Sequence, residues 1–229
     1  MESKVVTAYT DGACEPNPGP GGVGVVLVYK GSRREFSRGF RHTTNNRMEI
    51  EAAILALESL KEPCTVSLHS DSKYVVDSVN EGAVQEWAQS DWKRANGKRV
   101  PNSDLWEKLL ELCQLHDVSF HWVPGHSGNP DNERADALSY AALRHHDLPQ
   151  DEGYLRALEV EAAAPRKVTQ EGHPCRKCST PVVKKFPKGS RSEGQQYYFE
   201  YYLICPNCRT MYMVEDAKRY YDADVNRPA

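Results

Sequence analysis

Two short strand-like runs, each leading into an aspartate, set the strongest constraint on how this chain can fold. Val5–Tyr9 is β-branched and aromatic and leads through Thr10 to Asp11; Thr65–His69 leads through Ser70 to Asp71. In an α/β chain, two strands that end this way place both carboxylates at the C-terminal edge of one sheet, where such folds keep their sites. An acid closing an apolar strand is costly to bury unless a cation or a metal neutralises it. For Asp11 alone a turn aspartate explains the pattern as well, because Gly12–Gly22 is crowded with Gly and Pro.

The surrounding pattern supports a mixed α/β domain. Val23–Tyr29 and Arg33–Phe40 are strand-like around Lys30-Gly31-Ser32, so the chain opens with a three-strand antiparallel meander. Thr43-Thr44-Asn45-Asn46 carries groups suited to capping a helix, which runs from about Arg47 to Leu60. At 100° per residue, Glu51, Glu58 and Glu62 share one sector, expected to face solvent. Glu49 falls opposite, in line with Ala53, Ala56 and Leu60. Either the helix dipole favours that acid near the helix start, or the acid holds a metal.

Ser72–Val79 is helix-like, and residues 84–113 are helical with a break at Asn96-Gly97. Between Trp87 and Arg99, tryptophans alternate with Lys93, Arg94, Lys98 and Arg99. That is a usable surface for a nucleic-acid backbone, although a solvated helix face is commoner. Val118–Val123 is a fifth strand. Pro124–Pro130 is a loop holding His126, and Asp131–Arg144 is a helix whose Asp136 is in phase with Tyr140 and Leu143 and so points inward. A lone loop histidine usually does nothing; beside clustered acids it is a candidate proton shuttle.

The last quarter differs in kind. Residues 1–164 carry 17 Lys and Arg against 25 acids, whereas residues 165–220 carry 11 against 5. An acidic front with a basic back points to a polyanion at the back. Cys175-x-x-Cys178 and Cys205-x-x-Cys208, with 26 residues between the pairs, set four thiolates for a tetrahedral structural zinc. A redox dithiol would use one such pair beside a βαβ unit, not two on a segment too small to build its own core. Zinc then supplies the folding energy. Around the metal, Lys184, Lys185, Lys188 and Arg191 accompany Phe186, Tyr197, Tyr198, Phe199, Tyr201 and Tyr202. These aromatics are the ribbon's own packing in part and a candidate base-stacking platform in part.

Cys14, Cys64 and Cys113 have no partner by spacing and read as free thiols. Seven cysteines in uneven places are not a secreted disulfide framework. No apolar run approaches the length of a membrane span, and Met1–Thr10 lacks the layout of a secretory signal. A cytoplasmic protein without membrane contact is expected.

The acids sit in recognisable contexts: Thr-Asp-Gly-Ala-Cys followed by Asn-Pro-Gly-Pro-Gly-Gly, Thr-Thr-Asn-Asn-Arg-Met-Glu, Ser-Asp-Ser-Lys-Tyr-Val, and Gly-His-Ser-Gly followed by Asn-Glu-Arg-Ala-Asp. Together these closely resemble ribonuclease HI, the type 1 RNase H family, over about residues 3–145. The resemblance implies an α/β, RNase H-like mixed five-stranded sheet flanked by helices. It also implies endonucleolytic cleavage of the RNA strand of RNA–DNA hybrids. Asp11, Glu49, Asp71 and Asp136 match the catalytic acids that hold two Mg²⁺ ions, with Mn²⁺ as the alternative. Four carboxylates cannot crowd together at neutral pH without cations, and Mg²⁺ is a hard ion that takes oxygen ligands. His126 matches the mobile-loop histidine of proton transfer or product release. Gly12, Cys14, Asn17, Asn45 and Asn46 match positions along the hybrid's minor groove, and Thr44 matches a contact to a DNA-strand phosphate.

Two departures stand out. Lys73 occupies a substrate-contacting position where many relatives have Gln, and the Trp87–Arg99 segment is shorter than the family's basic protrusion. The basic ribbon is therefore expected to replace that grip, adding nucleic-acid or protein contacts. The expected layout is a catalytic domain over 1–146, a linker over 147–170, a small zinc ribbon over 171–220 and a tail over 221–229. A nuclease for double-stranded RNA and a binding module without catalysis are the competing functions. The four inward acids argue against the second.

Overall fold

The computed structural model describes residues 4–163, 167–187 and 196–220. The chain divides into two compact units, Met1–Val160 and Glu161–Ala229. The division falls inside the stretch expected to be a linker. Lys188 and Arg191 lie outside the described residues.

The first unit is built on five strands: β1 (Lys4–Cys14), β2 (Gly19–Tyr29), β3 (Ser32–Thr43), β4 (Cys64–Ser70) and β5 (Asp117–Trp122). Their spatial order is β3-β2-β1-β4-β5. The first three form the expected antiparallel meander, and β1–β4 and β4–β5 pair in parallel. The helices are α1 (Asn45–Glu58), α2 (Lys73–Asn80), α3 (Ala83–Gln89), α4 (Ser103–Leu115), α5 (Pro130–Leu143) and α6 (Glu152–Ala163). The mixed five-stranded sheet with helices is the fold class the sequence implied.

Two glycines decide how closely the helices approach the sheet. A Cβ at Gly24 would stand 1.9 Å from the Ala135 carbonyl oxygen, so only glycine lets α5 lie against β2. A Cβ at Gly12 would stand 2.3 Å from the backbone of Met48 and Glu49, so Gly12 admits the start of α1 against β1. The two helices cover opposite faces: Gly21 faces Met48 of α1, and its neighbour Gly22 faces Ser139 of α5.

Two expectations need correction. Asp11 does not end β1, which continues to Cys14 because Gly12, Ala13 and Cys14 pair with Val23, Gly22 and Gly21. What ends there is the parallel β1–β4 ladder, whose last pair is Thr10–Ser70. Glu51 does not face solvent. It is buried and ion-paired with Arg38 of β3. The reason is position: α1 lies between the sheet and α4, so nearly its whole circumference from Arg47 to Leu57 is covered.

Residues 147–151 also join this unit. Leu148 is buried, and the Arg41 N–H donates to the Pro149 carbonyl. Arg47, only 2% exposed, donates to both carboxylate oxygens of Asp151 and to both of Asp104. Thr43 Oγ1 adds a bond to Asp151, which also accepts from the Tyr154 N–H at the start of α6.

The second unit is small and sheet-based. β6 (Val183–Lys185), β8 (Tyr202–Ile204) and β9 (Met211–Met213) form one sheet, and β7 (Tyr197–Phe199) pairs with β10 (Lys218–Tyr220). Its core gathers Val168, Val182, Leu203, Val214 and Ala217 around Cys175 and Cys205. So few apolar residues cannot hold a fold on their own.

Candidate active site

Because the β1–β4 ladder stops at Thr10 and Ser70, Asp11 and Asp71 follow it at one edge of the sheet. Glu49 arrives on the second turn of α1, admitted by Gly12, and Asp136 on the second turn of α5. The four sequence-predicted acids are thereby brought within electrostatic reach. Asp11 feels Asp71 and Asp136, and Glu49 feels Asp11 and Asp71.

Three of the four acids are held by neighbours. Ser139 Oγ donates to Asp11 Oδ2 at 2.7 Å. Asn45 Nδ2 donates to Glu49 Oε1 at 2.9 Å, and Ser72 Oγ donates to Glu49 Oε2 at 2.6 Å. The Trp122 indole Nε1 donates to the Asp71 carbonyl at 3.1 Å. Gly125 leaves room for the Asp71 carboxylate: a Cβ there would stand 2.8 Å from Oδ2.

Burial pushes Asp11 up to about 6; the Ser139 bond opposes the shift, and the charges of Asp71 and Asp136 add to it. Glu49 is raised for the same first reason, against its bond from Ser72 and with the charges of Asp11 and Asp71. This is how carboxylates behave when crowded together without a cation. The donor set is all oxygen, which fits a hard divalent ion such as Mg²⁺ and not a soft one.

The other sequence-predicted residues fall into two groups. Asn17 Oδ1 accepts from the Asn45 backbone N–H, so a loop residue of the first hairpin caps α1. Thr44 holds the N-cap position without a capping side-chain bond. Asn17, Asn45, Glu49 and Ser72 thus form one chain of contacts leading into the acids. Cys14 Sγ lies near the carbonyls of Pro16, Gly19 and Thr43, which ties the hairpin to the end of β3. Lys73 places its ammonium over the Trp122 ring, 5.0 Å from the centroid. Asn46 is exposed, and so is His126, which has positive φ in the loop beside Gly125. Neither touches the acids among the described residues.

Sequence reasoning missed the supporting donors Ser72, Ser139 and Trp122. Ser139 was accessible in principle, standing one turn after Asp136 on the same helix. Trp122 had no such signal, because its role depends on the β4–β5 register.

In the second unit the sulfurs of Cys175, Cys178, Cys205 and Cys208 all lie within 4.8 Å of one another. The two pairs are built alike. Cys175 N–H donates to Thr180 and Ser179 N–H to Cys175; Cys205 N–H donates to Thr210 and Arg209 N–H to Cys205. Ser179 and Arg209 both have positive φ. Hydrogen bonds led by those from the Thr180 hydroxyl and backbone pull Cys178 down to about 6, whereas burial lifts Cys205 to about 11. Four convergent sulfurs with backbone N–H groups aimed at them fit a tetrahedral zinc.

The RNase H family model matches residues 3–144. The ribonuclease H of Desulforamulus reducens is 54% identical over 148 residues, covering 65% of this chain and 93% of that protein. The ribonuclease H of Syntrophus aciditrophicus is 56% identical over 151 residues, covering 66% and 87%. Among solved structures, LC9-RNase H1, a type 1 RNase H with the type 2 active-site motif, superposes with a TM-score of 0.56. It is 32% identical and covers 62% of this chain and 74% of that one. Fold and relatives define a hydrolase that acts on nucleic acid, a nuclease. The chain belongs to the RNase H family. The ribbon lies beyond the matched residues.

Proposed function

We propose that this chain is an endoribonuclease that hydrolyses the RNA strand of RNA–DNA hybrids, leaving 5′-phosphate and 3′-hydroxyl ends. Asp11, Glu49, Asp71 and Asp136 would hold two divalent ions, Mg²⁺ with Mn²⁺ as the alternative. The observation that carries this reading is the convergence of Asp11 and Asp71 at the end of the β1–β4 ladder with Glu49 of α1 and Asp136 of α5. They are close enough that Asp11 feels Asp71 and Asp136, and Glu49 feels Asp11 and Asp71. Cations in such a cluster offset the repulsion between its carboxylates and favour their ionised form. When bound, the ions supply water activation and stabilisation of the leaving oxygen.

The chain's own residues do the rest. Ser139 fixes the orientation of Asp11, and Asn45 with Ser72 fixes both oxygens of Glu49. Trp122 holds the backbone of Asp71. His126, on its exposed loop next to Gly125, would exchange a proton with water near Asp71. The amides of Asn17, Asn45 and Asn46 are the groups suited to 2′-hydroxyls in a shallow minor groove, the feature that separates RNA from DNA. Gly12 and Cys14 shape that wall. Thr44 and Lys73 would meet phosphates.

Cys175, Cys178, Cys205 and Cys208 would hold a structural zinc, and the basic ribbon would add contacts to nucleic acid. The uneven spacing of the seven cysteines does not suit a secreted disulfide framework, which supports a cytoplasmic location. Among the described residues no helix is long and apolar enough to cross a membrane.

Incubation of an end-labelled hybrid with Mg²⁺, beside an all-RNA duplex and an all-DNA duplex, tests the reading. It predicts cutting of the hybrid's RNA strand alone, with products that a polymerase can extend. Cutting of the all-RNA duplex at the same rate, or products blocked at the 3′ end, would contradict it.

A further inference from the structure

Residues paired across an antiparallel ladder share a face. In β7–β10 the pairs are Tyr197–Tyr220 and Phe199–Lys218, so three rings and one ammonium lie on one side of that sheet. Lys218 Nζ sits 4.3 Å from the Tyr197 ring centre and 5.4 Å from that of Tyr220, and the two rings are 6.1 Å apart. Phe199 is turned into the ribbon core. Tyr197 and Tyr220 are not; they are 42% and 69% exposed.

The core therefore accounts for one ring and leaves two outside. The segment that carries them is basic as a whole. Residues 165–220 carry 11 Lys and Arg against 5 acids. Three of the acids within the described residues are engaged, Glu200 with Arg219, Glu215 with Lys218, and Glu171 with the Lys184 backbone N–H, while Asp216 accepts from Arg219 at its backbone carbonyl. A basic segment that presents two exposed aromatic faces with an ammonium between them matches a polyanion with exposed π faces. Paired bases hide those faces inside the stack, whereas unpaired bases offer them.

We propose that the β7–β10 face of the ribbon binds single-stranded nucleic acid, stacking bases on Tyr197 and Tyr220 and meeting a phosphate with Lys218. This deepens the reading of the ribbon as a nucleic-acid contact and names its partner. It does not depend on the catalytic assignment.

The test is equilibrium binding of a fluorescent oligothymidylate and of a blunt RNA–DNA hybrid to the full chain in Mg²⁺-free buffer, with zinc content measured for every variant. Replacing both Tyr197 and Tyr220 by Ala should weaken oligothymidylate binding at least about tenfold, and replacing both by Phe should change it less than about twofold. Lys218→Gln should lower the salt slope of that binding by about one. If the double alanine variant loses its zinc, Tyr220→Ala alone decides, with a weakening of at least about threefold expected.

Unchanged oligothymidylate binding in a zinc-retaining alanine variant would overturn the proposal. So would an equal loss for the blunt hybrid, which would mean a grip on duplex backbone. So would no binding of either probe through the ribbon, which would leave a protein partner. Hybrid cleavage by the unaltered protein reads the catalytic assignment separately, so the two cannot fail together unnoticed.

Discussion

Ser139 and Asp11 stand 128 residues apart in the chain and 2.7 Å apart in the fold, hydroxyl to carboxylate. The bond joins α5 to β1 at the sheet edge where the four acids meet. It does not offset the burial of Asp11, whose pKa is lifted from 3.8 to about 6. The folded pKa exceeds the unfolded one, so the stabilisation this group gives is complete below about pH 4 and is lost as pH rises through about 6. At pH 8 the ionised group opposes folding by roughly 3 kcal/mol at most. Asp11→Asn should therefore raise the Tm of the Mg²⁺-free protein at pH 8 by several degrees and do little at pH 4. It should also abolish the further rise that Mg²⁺ gives the unaltered protein. Thermal melts at the two pH values, with and without Mg²⁺, check both.

Trp122 holds Asp71 through its indole N–H and offers its ring to Lys73. Trp122→Phe removes the first contact and keeps an aromatic face for the second. One neutral hydrogen bond is worth about 1 kcal/mol, so kcat should fall roughly two- to tenfold with KM little changed. Trp122→Ala should raise KM as well. Steady-state kinetics on a hybrid separates the two effects.

The buried Arg47 is neutralised by Asp104 and Asp151. Burial pushes Asp104 up, but its bonds from Arg47 outweigh that and hold it below the ordinary carboxylate range. A depressed carboxylate stabilises the fold above its unfolded pKa and loses that contribution as pH falls through the folded one. Asp151→Ala strands half of the guanidinium's partners and removes the Tyr154 N–H acceptor. It should cost about 3–5 kcal/mol in urea unfolding at pH 7, the range for breaking a buried pair. A loss under about 1 kcal/mol would show that water replaces the partner.

The cysteine cluster predicts one zinc per chain. Cys205→Ala should lose it and expose Leu203 and Val182, making the ribbon protease-sensitive while the first unit stays intact. Limited proteolysis with mass spectrometry and metal analysis reads both.

The opening meander and the inward phase of Glu49 and Asp136 were legible because they depend on local patterns, namely strand composition, turn glycines and helix phase. The mixed five-stranded sheet and the joint role of the four acids came instead from the family resemblance. Asp11 and Asp71 share an edge because two strands are parallel, and that follows from an α/β pattern. The burial of Glu51 was not legible. Helix phase gives the side facing the sheet, but covering by α4 depends on a segment about fifty residues further on. The same holds for Asp151, read as linker and found against Arg47. Asn17 was read as a groove residue from the family resemblance, while its contact with the start of α1 needed the folded hairpin. Long-range polar pairs leave no period in a sequence, so they are what the pattern cannot supply.

The central claim is that the four acids act together through divalent ions on a hybrid's RNA strand. The most direct measurement is cleavage of a labelled RNA–DNA hybrid across a Mg²⁺ titration by the unaltered chain and by Asp71→Asn. The account predicts no cutting without the metal, saturable cutting with it, and a loss of at least about a hundredfold in the variant. Metal-independent cutting, or turnover surviving in Asp71→Asn, would contradict it.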